Sequence, residues 1–322
     1  MQSFWQTLPR PFTVLAPLDG VTDVVFRQIV TEIGKPDVFF TEFTPCDGLL
    51  SNGRQRVEDN LLFSLEQRPI VAQIWGHKPE SFYTTAREIR ERGFAGIDIN
   101  MGCPERTVIR DGACSALIRT PELAAEIIQA TKEGAGDLPV SVKTRIGFGT
   151  IAIEDWIGFL LRQQLSALTV HLRTRAEMSK VQAHWELLSE IVALRNEIAP
   201  ETILIGNGDI ASLGEVHEKY MQYDCEGFMI GRGVFANPWV FNPAIDFATV
   251  SAEEKIRLYL HHISLFERQW NGRKNFALLK KFAKTYLNNF SDASMLREEV
   301  MACRTIAELK NTLDKLLSSP VR

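Results

Sequence analysis

The chain of 322 residues has little that would seat it in a membrane or an oxidising compartment. No apolar run approaches the roughly 20 residues that span a bilayer. The first residues, Met1 to Phe12, carry Trp5, Pro9, Arg10 and Pro11 and lack the apolar stretch of a signal peptide. A soluble, cytoplasmic protein is therefore expected, with no membrane partner. Cysteine is scarce: Cys46, Cys103, Cys114, Cys225 and Cys303 are five, an odd number, scattered and without a C-x-x-C pair. That argues against a disulfide framework and against a structural zinc site, so no metal is expected. Any cysteine that matters here matters as a thiol. Internal repeats, low-complexity tracts and long linkers are missing as well. So is a strong overall charge, the formal net value being −4.

That average conceals a split. From Lys255 to Arg322 there are 13 Lys and Arg against 6 Asp and Glu, a net +7, which leaves −11 for the preceding 254 residues. An acidic body with a basic tail points to a polyanion as the tail's partner.

What is present is ordinary globular material. Hydrophobic residues make up 45% and charged residues 24%, enough apolar content for a sizeable core. Short β-branched and aromatic runs alternate with stretches of helical period. The strands expected are Thr13–Ala16, Val38–Thr41, Ile70–Ile74, Gly96–Asn100, Val140–Thr144, Ala167–His171, Ile203–Gly206 and Gly227–Ile230. Helices are expected between them, at Phe82–Arg92, Pro121–Glu133 and Trp185–Glu197. The strands show little polar alternation, as in a parallel sheet buried on both faces. A doubly wound sheet would fit the count. A (β/α)8 TIM barrel fits better, because Gln73, Asn100, Lys143, His171 and Asn207 cluster at the C-terminal ends of the strands, where barrels build their sites.

The alternation stops near Asn242. Ser251-Ala-Glu-Glu254 reads as a capping box opening a helix at Glu253–Trp270, with further helices at Asn275–Asn288, Ala293–Ala302 and Thr305–Leu317. The chain is thus expected to be an α/β barrel over residues 1–248, followed by a C-terminal all-helical domain over 249–322.

Three strings carry chemistry. Asp98-Ile-Asn-Met-Gly-Cys-Pro104 puts an asparagine and a thiol at the mouth of the fourth strand, where Gly102 and Pro104 turn the chain. Free cysteines usually pack, but one held between glycine and proline just past a strand end reads as functional. Cys114, among the small residues of Asp111-Gly-Ala-Cys-Ser115, reads as a packing residue. Val140-Ser-Val-Lys-Thr-Arg145 ends an apolar strand on Lys143. An ammonium there needs an anionic or strongly polar partner, such as the N1–C2 edge of a reduced flavin. Gln73 and His171 are weaker signals that could simply cap their strands. Gly206-Asn-Gly-Asp209 and Gly231-Arg-Gly233 follow the seventh and eighth strands, where barrel phosphate sites form, with Val234–Phe241 as the short helix expected beside them. Together these describe a flavin mononucleotide lying across the barrel top.

The combination resembles the dihydrouridine synthases. Ala16-Pro-Leu-Asp-Gly-Val-Thr-Asp23 with Phe26-Arg27, Gln73, Asn100-Met-Gly-Cys-Pro104, Lys143-Thr-Arg145, Val170-His-Leu-Arg-Thr-Arg175, Asn207-Gly-Asp209 and Gly231-Arg232 follow that family's order along nearly the whole chain. Leu18, Leu172 and Cys114 depart from its commonest residues, but none removes a reacting group. The resemblance implies a bacterial enzyme that reduces uridines in tRNA, with FMN as cofactor and NADPH as reductant. It also implies that Pro17, Leu18, Asp19, Gln73, Lys143, His171, Asn207, Gly208, Asp209, Gly231 and Arg232 hold the FMN, and that Cys103 is the catalytic acid. The stretches around Thr31–Ile33, Phe40–Phe43 and Leu279–Tyr286 look most like the C-type subgroup, which acts at position 16 of the D-loop.

On that reading hydride from flavin N5 adds to C6 of the uracil, and Cys103 protonates C5. Asn100 and Arg175 are candidates to hold the base. Lys280, Lys281 and Lys284, at helical spacing, form a patch for the tRNA backbone. No obligate protein partner is implied. Two other readings fit less of the sequence: a flavin barrel that reduces a free pyrimidine or small enone, which leaves the basic tail unexplained, and a non-catalytic tRNA-binding or folding factor, against which Cys103 and Lys143 argue.

Overall fold

A computed structural model of the chain describes residues 3–318. The chain divides into two compact units, one made of the residues up to Val24 together with Pro36–Gly231, the other of Val25–Lys35 together with the chain from Arg232 onward.

The first unit is the barrel. Its strands are β1 (Phe12–Leu15), β2 (Val38–Phe40), β3 (Ile70–Trp75), β4 (Gly96–Met101), β5 (Val140–Arg145), β6 (Ala167–His171), β7 (Ile203–Asn207) and β8 (Gly227–Ile230). Each pairs in parallel with the next, and β1 pairs with β8 through Phe12↔Gly227 to Leu15↔Ile230, closing the ring. The strands expected from sequence match these within a residue or two. A two-residue extension, Thr44–Pro45, adds to the outer end of β3. Closure depends on a close approach: a Cβ on Gly227 would lie 2.4 Å from the Phe12 ring. Helices α2 (Pro79–Glu91), α3 (Pro121–Ala135), α4 (Leu188–Ile198) and α5 (Leu213–Tyr223) follow their strands. Proline opens the first two, where its missing N–H costs nothing.

Trp5, Phe12, Val14, Val38, Phe40, Val71, Ala167, Ile203, Ile205 and Met229 form one apolar cluster, with Trp5 packed on Phe12 and Phe40 at ring distances of 6.0 and 6.3 Å. Most of these residues lie in the N-terminal halves of the strands, so one end of the barrel is plugged with hydrocarbon. The polar residues are left at the other end.

The second unit begins early in the chain, because helix α1 (Val24–Ile33) lies almost wholly within it. Phe26 of α1 stacks on Phe282 at 4.9 Å, and Asn242 Nδ2 donates to the Ile33 carbonyl at 2.7 Å. Helix α6 (Ala252–Trp270) opens with the expected capping box between Ser251 and Glu254 and stops at Asn271 in the left-handed region. Helices α7 (Ala293–Ala302) and α8 (Ile306–Ser318) complete it. None of the described helices is long and apolar enough to cross a membrane.

Three expectations differ. The chain leaves the barrel unit at Gly231 rather than after 248. The short helix after β8 covers only Gly233–Ala236, because Asn237 precedes a proline and is extended. The helix expected at Asn275–Asn288 is two single turns, Ala277–Lys280 and Ala283–Tyr286. The Leu279 carbonyl, which an unbroken helix would offer to the Ala283 N–H, accepts instead from the Phe282 N–H at 2.9 Å and from the Tyr259 hydroxyl at 2.8 Å.

Below the strand ends a buried ion pair ties the barrel together. Arg195 of α4 donates to Glu226 Oε1 at 2.5 Å and to the Thr202 carbonyl at 2.9 Å, while Glu226 Oε2 accepts from the Leu204 N–H at 3.1 Å. Both side chains are nearly closed to water, at 5% and 6% exposure. Glu226→Ala would strand the guanidinium, so it should lower stability by about 3–5 kcal/mol. Urea unfolding of the variant against the parent checks this, and a change under about 1 kcal/mol contradicts it.

Candidate active site

The parallel register brings the polar strand ends side by side on one rim. Gln73 stands opposite Asp98, Asn100 opposite Lys143, Arg145 opposite His171, and His171 opposite Asn207. Lys143 Nζ donates to Asn207 Oδ1 at 3.1 Å, and Asn207 Nδ2 donates to the Met229 carbonyl at 2.8 Å. Burial, helped by the neighbouring Arg145 charge, pushes the Lys143 ammonium down to about 8. Its proton is thus held less firmly than that of an exposed lysine. Thr169, opposite Lys143, has a buried hydroxyl with no hydrogen-bond partner.

Cys103 sits just past β4 on a turn whose peptide groups are all pinned. Asn100 Oδ1 accepts from the Gly102 and Cys103 N–H groups, both at 3.0 Å. Arg145 Nε donates to the Gly102 carbonyl at 2.8 Å, and Ser115 Oγ donates to the Cys103 carbonyl at 2.7 Å. The backbone is thus fixed at four points, and with it the direction of the Cα–Cβ bond that carries the half-buried thiol. Its pKa is brought down to about 7, first by a hydrogen bond from the Cys114 thiol and then by the Glu105 N–H and the Arg145 guanidinium, against the opposing effects of burial and the Glu105 charge.

Cys114 is the buried packing residue its small neighbours suggested, and its thiol also acts on the ionisation of Cys103. It is fully buried, its own ionisation is pushed well up by burial, and its backbone sits at φ 53°, a region where a non-glycine side chain is uncommon. Sequence reasoning missed that effect because eleven residues of chain separate two thiols that folding brings together.

The remaining candidates are placed as follows. Pro17 is buried, Leu18 half-buried and Asp19 exposed in the loop after β1. That loop is tied by Leu18 N–H to Thr22 Oγ1 at 2.9 Å and by Gly20 N–H to Glu42 Oε1 at 2.6 Å. Gln73 is fully buried within β3. His171 Nε2 faces Arg173 Nη1 at 3.1 Å. Asp209 accepts from Arg173 Nη2 and from the Ala183 N–H. Gly208, at φ 145°, lies so close to Ala183 that a Cβ would meet it at 2.6 Å. Gly231 ends the barrel unit and Arg232, exposed, begins the other. Arg175 is held by its N–H to the Gly147 carbonyl at 2.9 Å and lies over the Phe148 ring. Its Nε is buried without a partner. Lys280, Lys281 and Lys284 belong to the second unit. Lys280 Nζ donates to the Met301 carbonyl at 2.9 Å, whereas Lys281 and Lys284 are exposed. Among the described residues no group of three or more His, Cys, Asp or Glu could hold a metal ion.

Because the Cys114 S–H favours the Cys103 thiolate, removing it should move the Cys103 pKa upward. Alkylation of Cys103 by iodoacetamide should show a midpoint near pH 7 in the parent. It should shift towards the ordinary thiol value of about 8.5 in Cys114→Ala. An unchanged midpoint removes Cys114 from the site.

The comparisons with known proteins agree among themselves. The family described as dihydrouridine synthase (Dus) matches residues 14–320. A probable tRNA-dihydrouridine synthase of Staphylococcus epidermidis is 46% identical over 316 residues, covering 97% of this chain and 96% of that protein. Probable tRNA-dihydrouridine synthase 2 of Bacillus subtilis is 46% identical over 316 residues as well. Among solved structures, morphinone reductase in complex with tetrahydroNAD resembles the chain with a TM-score of 0.50 at 13% identity, over 73% of this chain and 86% of that one. Histamine dehydrogenase from Rhizobium sp. 4-9 does so with a TM-score of 0.52 at 13% identity, over 79% and 48%. These two show a shared fold, whereas the family match runs through Asn100, Cys103 and Lys143 and on across the helical unit. The chain belongs to the dihydrouridine synthase family.

Proposed function

We propose that the chain reduces uridines in tRNA to 5,6-dihydrouridine, with FMN as cofactor and NADPH as reductant, and that Cys103 gives the proton to C5. The observation that carries this reading is the pinned Gly102–Cys103 turn, whose thiol has a pKa of about 7 on the rim that also bears Lys143. An acid whose pKa lies near the working pH is the most effective proton donor.

The rim suits a flavin. Lys143 offers a cation, Asn207 an amide, His171 an imidazole, and Thr169 a buried hydroxyl in need of a partner, while Gln73 would support the ring from below through its bond to Asn100. Pro17, Leu18 and Asp19 would meet the cofactor through the loop after β1, and Asn207, Gly208, Asp209 and Gly231 through the ends of β7 and β8. When bound, FMN supplies hydride to C6 of the uracil. Lys143 would balance negative charge at the ring edge. Asn100 keeps one Nδ2 hydrogen beyond the one it gives Gln73, and the unpartnered Arg175 Nε is a second donor, so these two would hold the base. Because the uracil C5=C6 bond is conjugated to a carbonyl, charge gathers towards C5 as C6 is attacked. The Cys103 S–H releases its proton there, and the thiolate left behind is stabilised by Cys114 and Arg145. A base must leave its stack to reach such a rim, at a cost of a few kcal/mol. Exposed Lys281 and Lys284 would offset this by binding the backbone.

Pre-reduced holoenzyme mixed with unmodified tRNA in the absence of oxygen reports the step as flavin reoxidation. Cys103→Ala should retain FMN and its reduction by NADPH but lose reoxidation by tRNA, by roughly 10²–10⁴-fold. Full-rate turnover of that variant refutes the assignment, and a protein that takes up no FMN refutes the cofactor. Free uracil should give no turnover, and turnover on it would favour a small-molecule reductase.

Lys281→Glu with Lys284→Glu should weaken tRNA binding and flatten its dependence on log salt by about 1–2 units of slope. Filter binding across a salt series checks this, and an unchanged slope removes both lysines from the interface.

A further inference from the structure

One buried polar chain runs beneath the rim. Ser141 Oγ donates to Asp98 Oδ1 at 2.7 Å, and Gln73 Nε2 donates to Asp98 Oδ2 at 2.8 Å. Asn100 Nδ2 donates to Gln73 Oε1 at 3.0 Å, and Asn100 Oδ1 accepts the two N–H groups of the Cys103 turn. Asp98, Gln73 and Ser141 are closed to water and Asn100 almost so, at 6% exposure. A carboxylate there is costly, and burial pushes Asp98 up to about 6, opposed by Ser141, Gln73 and the Lys143 charge. Both of its oxygens nevertheless accept, Oδ1 from Ser141 and Oδ2 from Gln73, as the oxygens of a carboxylate do.

The consequence is directional. Facing Asp98, Gln73 must present its NH2, which leaves its oxygen towards Asn100. Asn100 must then donate with Nδ2, which leaves Oδ1 for the turn. A reversed amide anywhere would set donor against donor or acceptor against acceptor in a site without water to repair it. We propose that Asp98 is a positioning residue for Cys103, the terminal acceptor that fixes the sense of the Gln73 and Asn100 amides and so holds the turn bearing the thiol. This rests on the reading of Cys103 as the proton donor only for its catalytic meaning, since the relay itself exists without substrate.

The relay has a polarity that can be reversed on purpose. In Asn100→Asp, the new carboxylate still accepts from the turn but sets an acceptor against Gln73 Oε1. Turning Gln73 around moves the clash to Asp98 as long as that carboxyl is ionised, so the variants are compared well above its value of about 6. Adding Asp98→Asn removes the conflict: Gln73 Nε2 can donate to residue 100, its Oε1 can accept from the amide at 98, and Ser141 can donate to the amide oxygen. Asp98→Asn alone keeps the native sense, with its NH2 on Ser141 Oγ and the serine hydroxyl turned to the Ile97 carbonyl, 3.3 Å away.

The test measures iodoacetamide alkylation of Cys103 and thermal unfolding in oxidised holoenzyme. Asp98→Asn should stay within about threefold of the parent in alkylation rate. Asn100→Asp should depart from it by about tenfold or more, the scale on which small misplacements act, and unfold at lower temperature. The double variant should return to within about threefold of the parent and regain stability. A double variant that folds when Asn100→Asp alone does not would be the same rescue. A double variant no better than Asn100→Asp, or failing to fold alongside it, overturns the proposal, as does an Asp98→Asn defect as large as that of Asn100→Asp. Transfer to tRNA by the parent is measured separately. Its absence would remove the catalytic reading of Cys103 while leaving the relay result to stand.

Discussion

Everything on the rim depends on the pairing of β1 with β8. Those four residue pairs convert a twisted parallel sheet into a ring, and only in a ring do the ends of β3, β4, β5, β6 and β7 face a common space. Parallel strands also share a direction, so the side chains at their C-terminal ends fall on one face without any loop having to carry them there. The apolar plug around Trp5, Phe12 and Phe40 fills the opposite end. Polar chemistry is thereby confined to one mouth, backed by hydrocarbon that cannot reorganise around a developing charge.

That confinement explains the ionisation of the rim. Lys143 and Arg145, two residues apart on β5, both lose cationic stability to burial, Lys143 further to the Arg145 charge and Arg145 to those of Arg173 and Arg175, and Lys143 comes down to about 8. The same positive surroundings favour the Cys103 thiolate, with the Cys114 S–H contributing most. The Cys103 thiol thus ionises more readily than an ordinary cysteine. Rigid anchoring of the turn matters as well, since a thiol on a mobile turn would spend little time aimed at any one atom.

Much of this was readable from the chain. The eight strands announced themselves through β-branched runs, and Gly102-Cys103-Pro104 stood out because a thiol between two chain-turning residues at a strand mouth has no packing excuse. Asp98 was readable in principle: it precedes Asn100 by two positions, so both point into the barrel. A carboxylate in an otherwise apolar strand is a signal in itself. What the sequence withheld was contact across distance. Ser115 and Cys114 reach Cys103 from a separate turn, and the Tyr259 hydroxyl bonds the Leu279 carbonyl, where the helix expected at Asn275–Asn288 is interrupted, from twenty residues away. Local propensity holds no information about such partners, because each is chosen by the tertiary arrangement of elements that propensity treats as independent.

Helix α1 follows β1 directly in the chain, yet Val25–Lys35 belongs with residues beyond Arg232. Its contacts there span 209 residues from Asn242 to Ile33 and 229 from His261 to Glu32. Pairings of such long range carry the largest loop-closure entropy and set slow folding rates. During synthesis, α1 leaves the ribosome with Val25, Phe26, Ile29 and Val30 ready for burial long before the helices that cover them exist. Chain translated more than two hundred residues later therefore decides when α1 can finish folding, and until then its apolar face is a part of the nascent protein that needs protection from aggregation.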